Sequence, residues 1–167
     1  MNRRATLTLT SMALFFPAAL LATAAPKIGL AQSNPLIGTW KLNLAKSRFS
    51  GSPPPRSTTL TFAGEGENLT NTAESIDAQG QTIKTVFMHI YDGKPHPTPG
   101  VPGGIYDTTT YNRVDAFTVN FVRSKDGKAV QTGSNVVSAD GKIFTVTVAG
   151  IGANGQQISS LAVYEKQ

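Results

Sequence analysis

Gly38-Thr39-Trp40-Lys41-Leu42 opens the first strand-like run of the chain and indicates its fold. Trp40 and Leu42 alternate with Thr39 and Lys41, which is the pattern of a strand with one buried and one wet face. Later runs alternate in the same way, with apolar positions at Leu60 and Phe62, at Phe117, Val119 and Phe121, and at Phe144, Val146 and Val148. Because a large aromatic side chain usually packs in a core, we expect Trp40 to be a structural anchor, with ligand contact as the alternative.

The rest of the chain after the N-terminal segment is a series of short strand-like runs and shows no sustained helical periodicity. The predicted strands are 38–44, 57–63, 68–76, 82–91, 106–113, 116–123, 128–138, 142–149 and 157–165. Their short connections predict an all-β fold, an antiparallel up-and-down meander of about eight to nine strands that forms a closed or nearly closed barrel.

The tripeptide Asp-Gly-Lys occurs at residues 92–94, 126–128 and 140–142 and is typical of tight turns. Equal loops at the last two turns would place the partners of Phe121 and Phe144 on opposite faces of the strand between them. Either the loops differ or that strand contains a β-bulge. We favour a bulge at Gly133.

The first residues have the layout of a cleavable export signal. Arg3 and Arg4 precede a short apolar run at 13–21, and small residues offer cleavage after Ala24 or after Ala31. The apolar run is too short for a membrane span, which needs about 20 residues. We therefore predict a signal peptide at 1–31, one barrel domain at 32–167, no membrane span after cleavage, and location in the periplasm or outside the cell.

Composition excludes several classes of site. The absence of cysteine removes disulfides, thiol catalysis and cysteine metal sites. Cleavage after Ala31 would leave 12 basic and 10 acidic side chains, scattered without a basic run. A nucleic-acid partner is therefore not expected. No phosphate-binding glycine loop or nucleophile elbow occurs, so no cofactor is predicted.

The stretch from Gly38 to Phe49, with its Gly-x-Trp start, and the ending at residues 163–167 resemble small exported bacterial proteins with a lipocalin-like, calycin-type barrel and no assigned activity. The resemblance implies a barrel that can hold a small molecule. Lipocalins usually set a late arginine against the tryptophan, whereas this chain has Lys166. Fatty-acid-binding proteins insert two helices after the first strand, where this chain has Pro53-Pro54-Pro55.

Candidate ligand-binding residues follow from aromatic and polar side chains on the predicted strands. They are Trp40, Phe87, His89, Tyr91, Tyr106, Tyr111 and Phe121. No catalytic residue is assigned. No metal ligand is assigned either, because His89 and His96 alone are too few for a zinc site unless Asp92 or Asp107 completes it. The strand 82–91 is apolar on both sides and is interpreted either as a pocket wall or as a strand covered by another layer or a dimer contact.

Two proline-rich segments interrupt the meander. Residues 52–56 predict a stiff extended connector, and residues 93–104 form a long loop of the kind that often serves as a lid.

Three functions are compatible with these features. The favoured one is an exported binding protein for a small apolar or amphipathic molecule. The second is a filled barrel that acts through its surface as an envelope interaction or inhibitor module. The third and least favoured is a cofactor-free isomerase or cyclase that uses His89 or a lumenal tyrosine.

Overall fold

The computed structural model describes residues 34–100 and 102–167, so the predicted export signal and both of its cleavage sites lie outside the described residues. The strands are β1 Gly38–Leu42, β2 Arg48–Ser50, β3 Ser57–Glu65, β4 Asn68–Ile76, β5 Thr82–Ile90, β6 Pro95–Pro97, β7 Thr108–Arg113, β8 Thr118–Lys125, β9 Lys128–Val137, β10 Ile143–Ile151 and β11 Gln157–Lys166. Two short 3₁₀ helices lie at Leu44–Lys46 and Pro102–Gly104. Within this part of the chain, no helix has the length and apolar character needed to cross a membrane.

All strand pairs are antiparallel, and the neighbours follow the order β5-β4-β3-β1-β11-β10-β9-β8-β7-β6. β2 pairs with β11 next to β1 and extends the same side of the sheet. The sheet curls into a nearly closed, lipocalin-like barrel, which confirms the predicted fold class. The predicted count of eight to nine strands is wrong, since the described residues form eleven.

The extra strands, β2 and β6, have only three residues each, too few for alternation to reveal them. β6 lies at one end of the sheet, where Pro95 and Pro97 are tolerated because an edge strand need not donate every N–H.

Trp40 lies fully buried in the core. Its Nε1 donates a hydrogen bond of 2.7 Å to the carbonyl oxygen of Leu36, and its ring centroid lies 5.5 Å from that of Phe144. The indole is therefore satisfied at its one polar atom and packed elsewhere, as expected of a structural anchor.

The predicted bulge exists in β9, but its predicted position at Gly133 is wrong. The register between β8 and β9 shifts at Arg123/Ser124, which pair with Gln131 and Ala129 and leave Val130 as the extra residue. The loops also differ, because Asp126-Gly127 alone joins β8 to β9 whereas residues 138–142 join β9 to β10. Gly133 instead pairs with Phe121, and an added Cβ there would collide with the Phe121 ring and the Thr147 carbonyl oxygen.

The two faces of β5 differ. Phe87 and His89 point into the barrel, whereas Val86 and Met88 on the opposite face are 51% and 60% exposed. The pocket-wall interpretation therefore fits the inner face. Among the described residues, no second layer covers the outer face of this strand.

No ladder joins β5 to β7, and the barrel is closed there by side chains and by one backbone hydrogen bond of 3.2 Å from the Gly93 N–H to the Tyr111 carbonyl oxygen. The His89 and Tyr111 rings stack with centroids 4.4 Å apart, and Tyr91 meets Tyr111 edge-on at 6.0 Å. The Arg113 guanidinium lies 4.4 Å from the Tyr91 ring centroid and forms a 3.1 Å ion pair with Glu67. We call this aromatic contact between the end of β5 and β7 the seam.

Candidate functional site

Among the described residues, an inner cavity within the barrel adjoins a more open outer cavity. The inner cavity has a volume of about 140 Å³, and the outer cavity has a volume of about 340 Å³. Aromatic rings and buried polar side chains line the inner cavity, among them Phe62, Phe87, His89, Tyr111, Phe121, Asn71 and Asn135. The outer cavity is more apolar and is lined by Phe49, Ile105, Val148 and Ile158, together with Pro53 and Pro55 of the predicted connector.

Arg123 and Tyr106 belong to the walls of both cavities and mark their junction. Arg123 Nη1 donates a 3.0 Å hydrogen bond to Gln131 Oε1. The Gln131 amide is itself oriented, because its Nε2 donates to the Ile151 carbonyl oxygen at 2.8 Å. The guanidinium also lies 4.7 Å from the ring centroids of Tyr106 and Phe121. These contacts hold the cation in place at the junction.

Among residues 34–100 and 102–167, no carboxylate neutralises the positive charge of Arg123. The described residues that line the two cavities include no Asp or Glu, and the ion pairs between described residues do not involve Arg123. A fixed guanidinium with free donors in a partly buried cleft is a suitable contact for a carboxylate or another oxyanion.

Burial shifts the pKa values of the titratable side chains around the inner cavity. Desolvation, with a smaller contribution from the Arg123 charge, lowers the pKa of His89 to about 3. Desolvation raises the pKa of Tyr111 and raises the pKa of Tyr164 to about 12. At neutral pH these side chains are therefore uncharged. They are suited to hydrogen bonding rather than to proton transfer, which works best with a pKa near the working pH.

The two histidines do not share a site. His89 contacts Tyr111 inside the barrel, whereas His96 Nε2 lies 2.9 Å from Asp92 Oδ1 at the surface. Within residues 34–100 and 102–167, no group of three or more His, Asp or Glu side chains is placed to hold a metal ion.

Five of the seven candidate residues line the inner cavity: Phe87, His89, Tyr106, Tyr111 and Phe121. Trp40 and Tyr91 lie in the core and at the seam and do not line either cavity. The cavities are also lined by residues that spacing in the sequence does not single out: Arg123, Gln131, Asn71, Asn135 and Tyr164. One signal does favour Arg123, because it shares the inward parity of Val119 and Phe121 along one strand.

The sequence matches no family model and no curated protein. Among solved structures, the chain is similar to As-p18, an extracellular fatty acid binding protein, with a TM-score of 0.54, 14% identity, and coverage of 81% of this chain and 98% of that one. It is also similar to zebrafish ileal bile acid-binding protein complexed with cholic acid, with a TM-score of 0.50, 14% identity, and coverage of 80% and 99%.

At this level of identity the comparisons establish the fold, a calycin-type barrel. One local difference from the expected fatty-acid-binding pattern is clear. In place of a two-helix insertion, the connection from β1 to β3 contains the 3₁₀ helix Leu44–Lys46, β2 and the proline segment.

Proposed function

We propose that this chain is a binding protein for a small amphipathic anion, held in the barrel lumen with its anionic group against Arg123. The observation that carries the proposal is the unneutralised guanidinium at the junction of two cavities. Apolar side chains on the outer side of this junction match the hydrocarbon part of such a ligand.

The size of the lumen limits the ligand. Small-molecule sites usually have volumes of about 300–1,000 Å³. The outer cavity reaches the lower end of that range, whereas the inner cavity holds only a ring-sized group. A ligand of about 20 heavy atoms that gains roughly 0.3 kcal/mol per atom would bind with a dissociation constant of tens of micromolar.

The two structural neighbours support the choice of ligand class by their descriptions, which name a fatty acid binding protein and a complex with cholic acid. Both ligand types combine an apolar body with one carboxylate. The proposal extends that chemistry to this chain because Arg123 supplies the complementary cation.

Calorimetric titration with oleate and with oleyl alcohol tests the proposal, because the two probes share a hydrocarbon chain and differ in charge. We expect oleate to bind in the tens-of-micromolar range and the alcohol at least tenfold more weakly. In Arg123→Gln the two affinities should become similar.

Arg56→Gln is the matched control, because Arg56 is an exposed arginine that bonds the Ala78 carbonyl oxygen outside both cavities. It should preserve the difference between oleate and the alcohol. Equal binding of both probes to the unmodified protein, or an unchanged preference in Arg123→Gln, would refute the anion site.

Export to the periplasm or the medium is part of the proposal and is supported by the charged and apolar pattern before Ala31. N-terminal sequencing of protein recovered from a periplasmic fraction tests it. A start at Ala25 or Gln32 is expected, and an intact Met1 in that fraction would contradict cleavage.

A further inference from the structure

Two buried polar atoms at the wall of the inner cavity lack a hydrogen-bond partner among the described residues. They are His89 Nδ1 and Asn71 Oδ1. The two residues are only 5% and 6% exposed, and both line the cavity. Because an unsatisfied buried polar atom is costly, such atoms are uncommon in folded proteins, and two at one cavity require an explanation.

The sheet places these side chains side by side. Leu69 pairs with His89 and Asn71 pairs with Phe87, so Asn71 and His89 are diagonal neighbours on the inner face of β4 and β5. Diagonal neighbours lie about 7–8 Å apart at the backbone, which leaves one small group room to contact both side chains.

The contact with Tyr111 offers His89 Nε2 a hydrogen-bond donor. The Tyr111 hydroxyl lies 3.4 Å from His89 Nε2, and the two rings are stacked. A neutral imidazole has one N–H and one acceptor nitrogen. When the hydroxyl of Tyr111 donates to Nε2, the proton of the imidazole resides on Nδ1, which then requires an acceptor, while Asn71 Oδ1 requires a donor.

We infer that the inner cavity is a subsite for a ring-sized group that carries a hydroxyl. A hydroxyl oxygen accepts from His89 Nδ1, and its proton is donated to Asn71 Oδ1, so one group satisfies both atoms. A cavity of about 150 Å³ is sufficient for a benzene ring, and the inner cavity has about 140 Å³. The inference deepens the proposed function: the ligand has a hydroxylated inner end in addition to its anionic group.

Phenol and benzene are the probes that isolate this subsite. Neither carries a charge at neutral pH, so their binding does not require an anionic contact at Arg123. We expect protein-detected NMR titration to show phenol binding about tenfold more tightly than benzene. Phenol should also shift the imidazole ¹⁵N signals of His89.

The preference for phenol should fall to about unity in Asn71→Leu and in His89→Phe, with benzene binding retained in both variants. Asn120→Leu is the control, because Asn120 is an exposed asparagine on β8 that does not line the cavity. It should keep the preference. If one of the two lumenal variants fails to fold, the other variant and the His89 ¹⁵N signals provide the same comparison.

Equal affinities for phenol and benzene in the unmodified protein would overturn the inference, as would a preference that persists in both variants. Failure of both probes to bind up to their solubility would also overturn it, since the cavity would then hold no more than water. The oleate titration is independent of these outcomes. Loss of the anion site with a retained preference for phenol would refute the proposed function alone, and the reverse result would refute the hydroxyl subsite alone.

Discussion

The ammonium nitrogen of Lys166 lies 5.1 Å from the centroid of the Trp40 ring, and the two residues are direct partners across β1 and β11. A cation over the face of an indole is attracted by the ring quadrupole. The lysine therefore stands against the tryptophan where the resemblance to lipocalins leads one to expect an arginine.

We expect Lys166→Ala to lower the free energy of unfolding by about 0.5–1 kcal/mol, the usual contribution of an exposed cation–π contact. Lys166→Arg should retain the stability, because a guanidinium makes the same contact. Urea unfolding monitored by the fluorescence of Trp40, the single tryptophan, measures both variants. The control is Lys128→Ala, which removes an exposed lysine beside a turn. If Lys128→Ala lowers the free energy of unfolding as much as Lys166→Ala does, the contact between Lys166 and Trp40 has no special role.

Gly133→Ala should destabilise the protein by about 1–3 kcal/mol, the range for overpacking a filled core. The cause is steric, because the new methyl group meets the Phe121 ring and the Thr147 carbonyl oxygen. Combining the substitution with Phe121→Leu should recover part of the loss, whereas the clash with the backbone oxygen persists. Thermal unfolding of both single variants and the double variant gives the coupling. Strictly additive losses would show that Phe121 does not account for the clash.

The pairing of Gly133 with Phe121 also shows how far the sequence predicts the fold. Alternation located the long strands, and parity required either unequal loops or an irregularity in the strand that became β9. Parity alone could not place the bulge, because an extra residue at Val130 and one at Gly133 both bring the partners of Phe121 and Phe144 onto the same face of the strand. The sequence also could not show that the two loops differ, because the turns at 126–128 and 140–142 have the same sequence, Asp-Gly-Lys. In the structure, the second is widened by hydrogen bonds from the N–H groups of Lys142 and Ile143 to the Ser138 hydroxyl.

The site was less predictable than the fold for a different reason. Aromatic side chains at inward positions identified part of the inner cavity, because bulky residues mark the buried face. Arg123 has the same parity, but a basic residue near a strand end is usually at the surface. Its role depends on Gln131 and Tyr106, which lie on other elements and meet it only in three dimensions.

His89 should make stability depend on pH between neutrality and mild acid. The pKa of His89 is lowered from 6.5 to about 3 in the folded protein, so the unfolded chain binds the proton first as the pH falls. The free energy of unfolding should therefore decrease below about pH 6.5, with a loss of about 2 kcal/mol between pH 7 and pH 5. Chemical unfolding at several pH values measures this slope.

His89→Phe should flatten that slope, whatever its effect on absolute stability. His96→Gln is the matched control because His96 lies at the surface beside Asp92. The pH range stops at 5, because carboxylates with lowered pKa values in the folded protein, such as Asp140 and Glu165, are protonated in the unfolded chain mainly below that pH and add little slope above it. A slope that survives in His89→Phe would assign the acid sensitivity to other groups.

The seam should control how firmly β5 is held, because β5 pairs with β4 on one side and forms no backbone ladder with β7 on the other. We expect Tyr111→Ala to destabilise the protein by about 3–5 kcal/mol and to speed amide hydrogen exchange in β5. Tyr111→Phe keeps the stacked ring and loses only the 3.4 Å hydroxyl contact with His89, so its exchange should stay close to that of the unmodified protein. Hydrogen exchange read by mass spectrometry separates these cases, since it reports opening segment by segment. The strands β10 and β11 lie in the middle of the sheet and serve as the reference. If Tyr111→Ala accelerates exchange there as much as in β5, the aromatic contact contributes to global stability and does not specifically close the barrel.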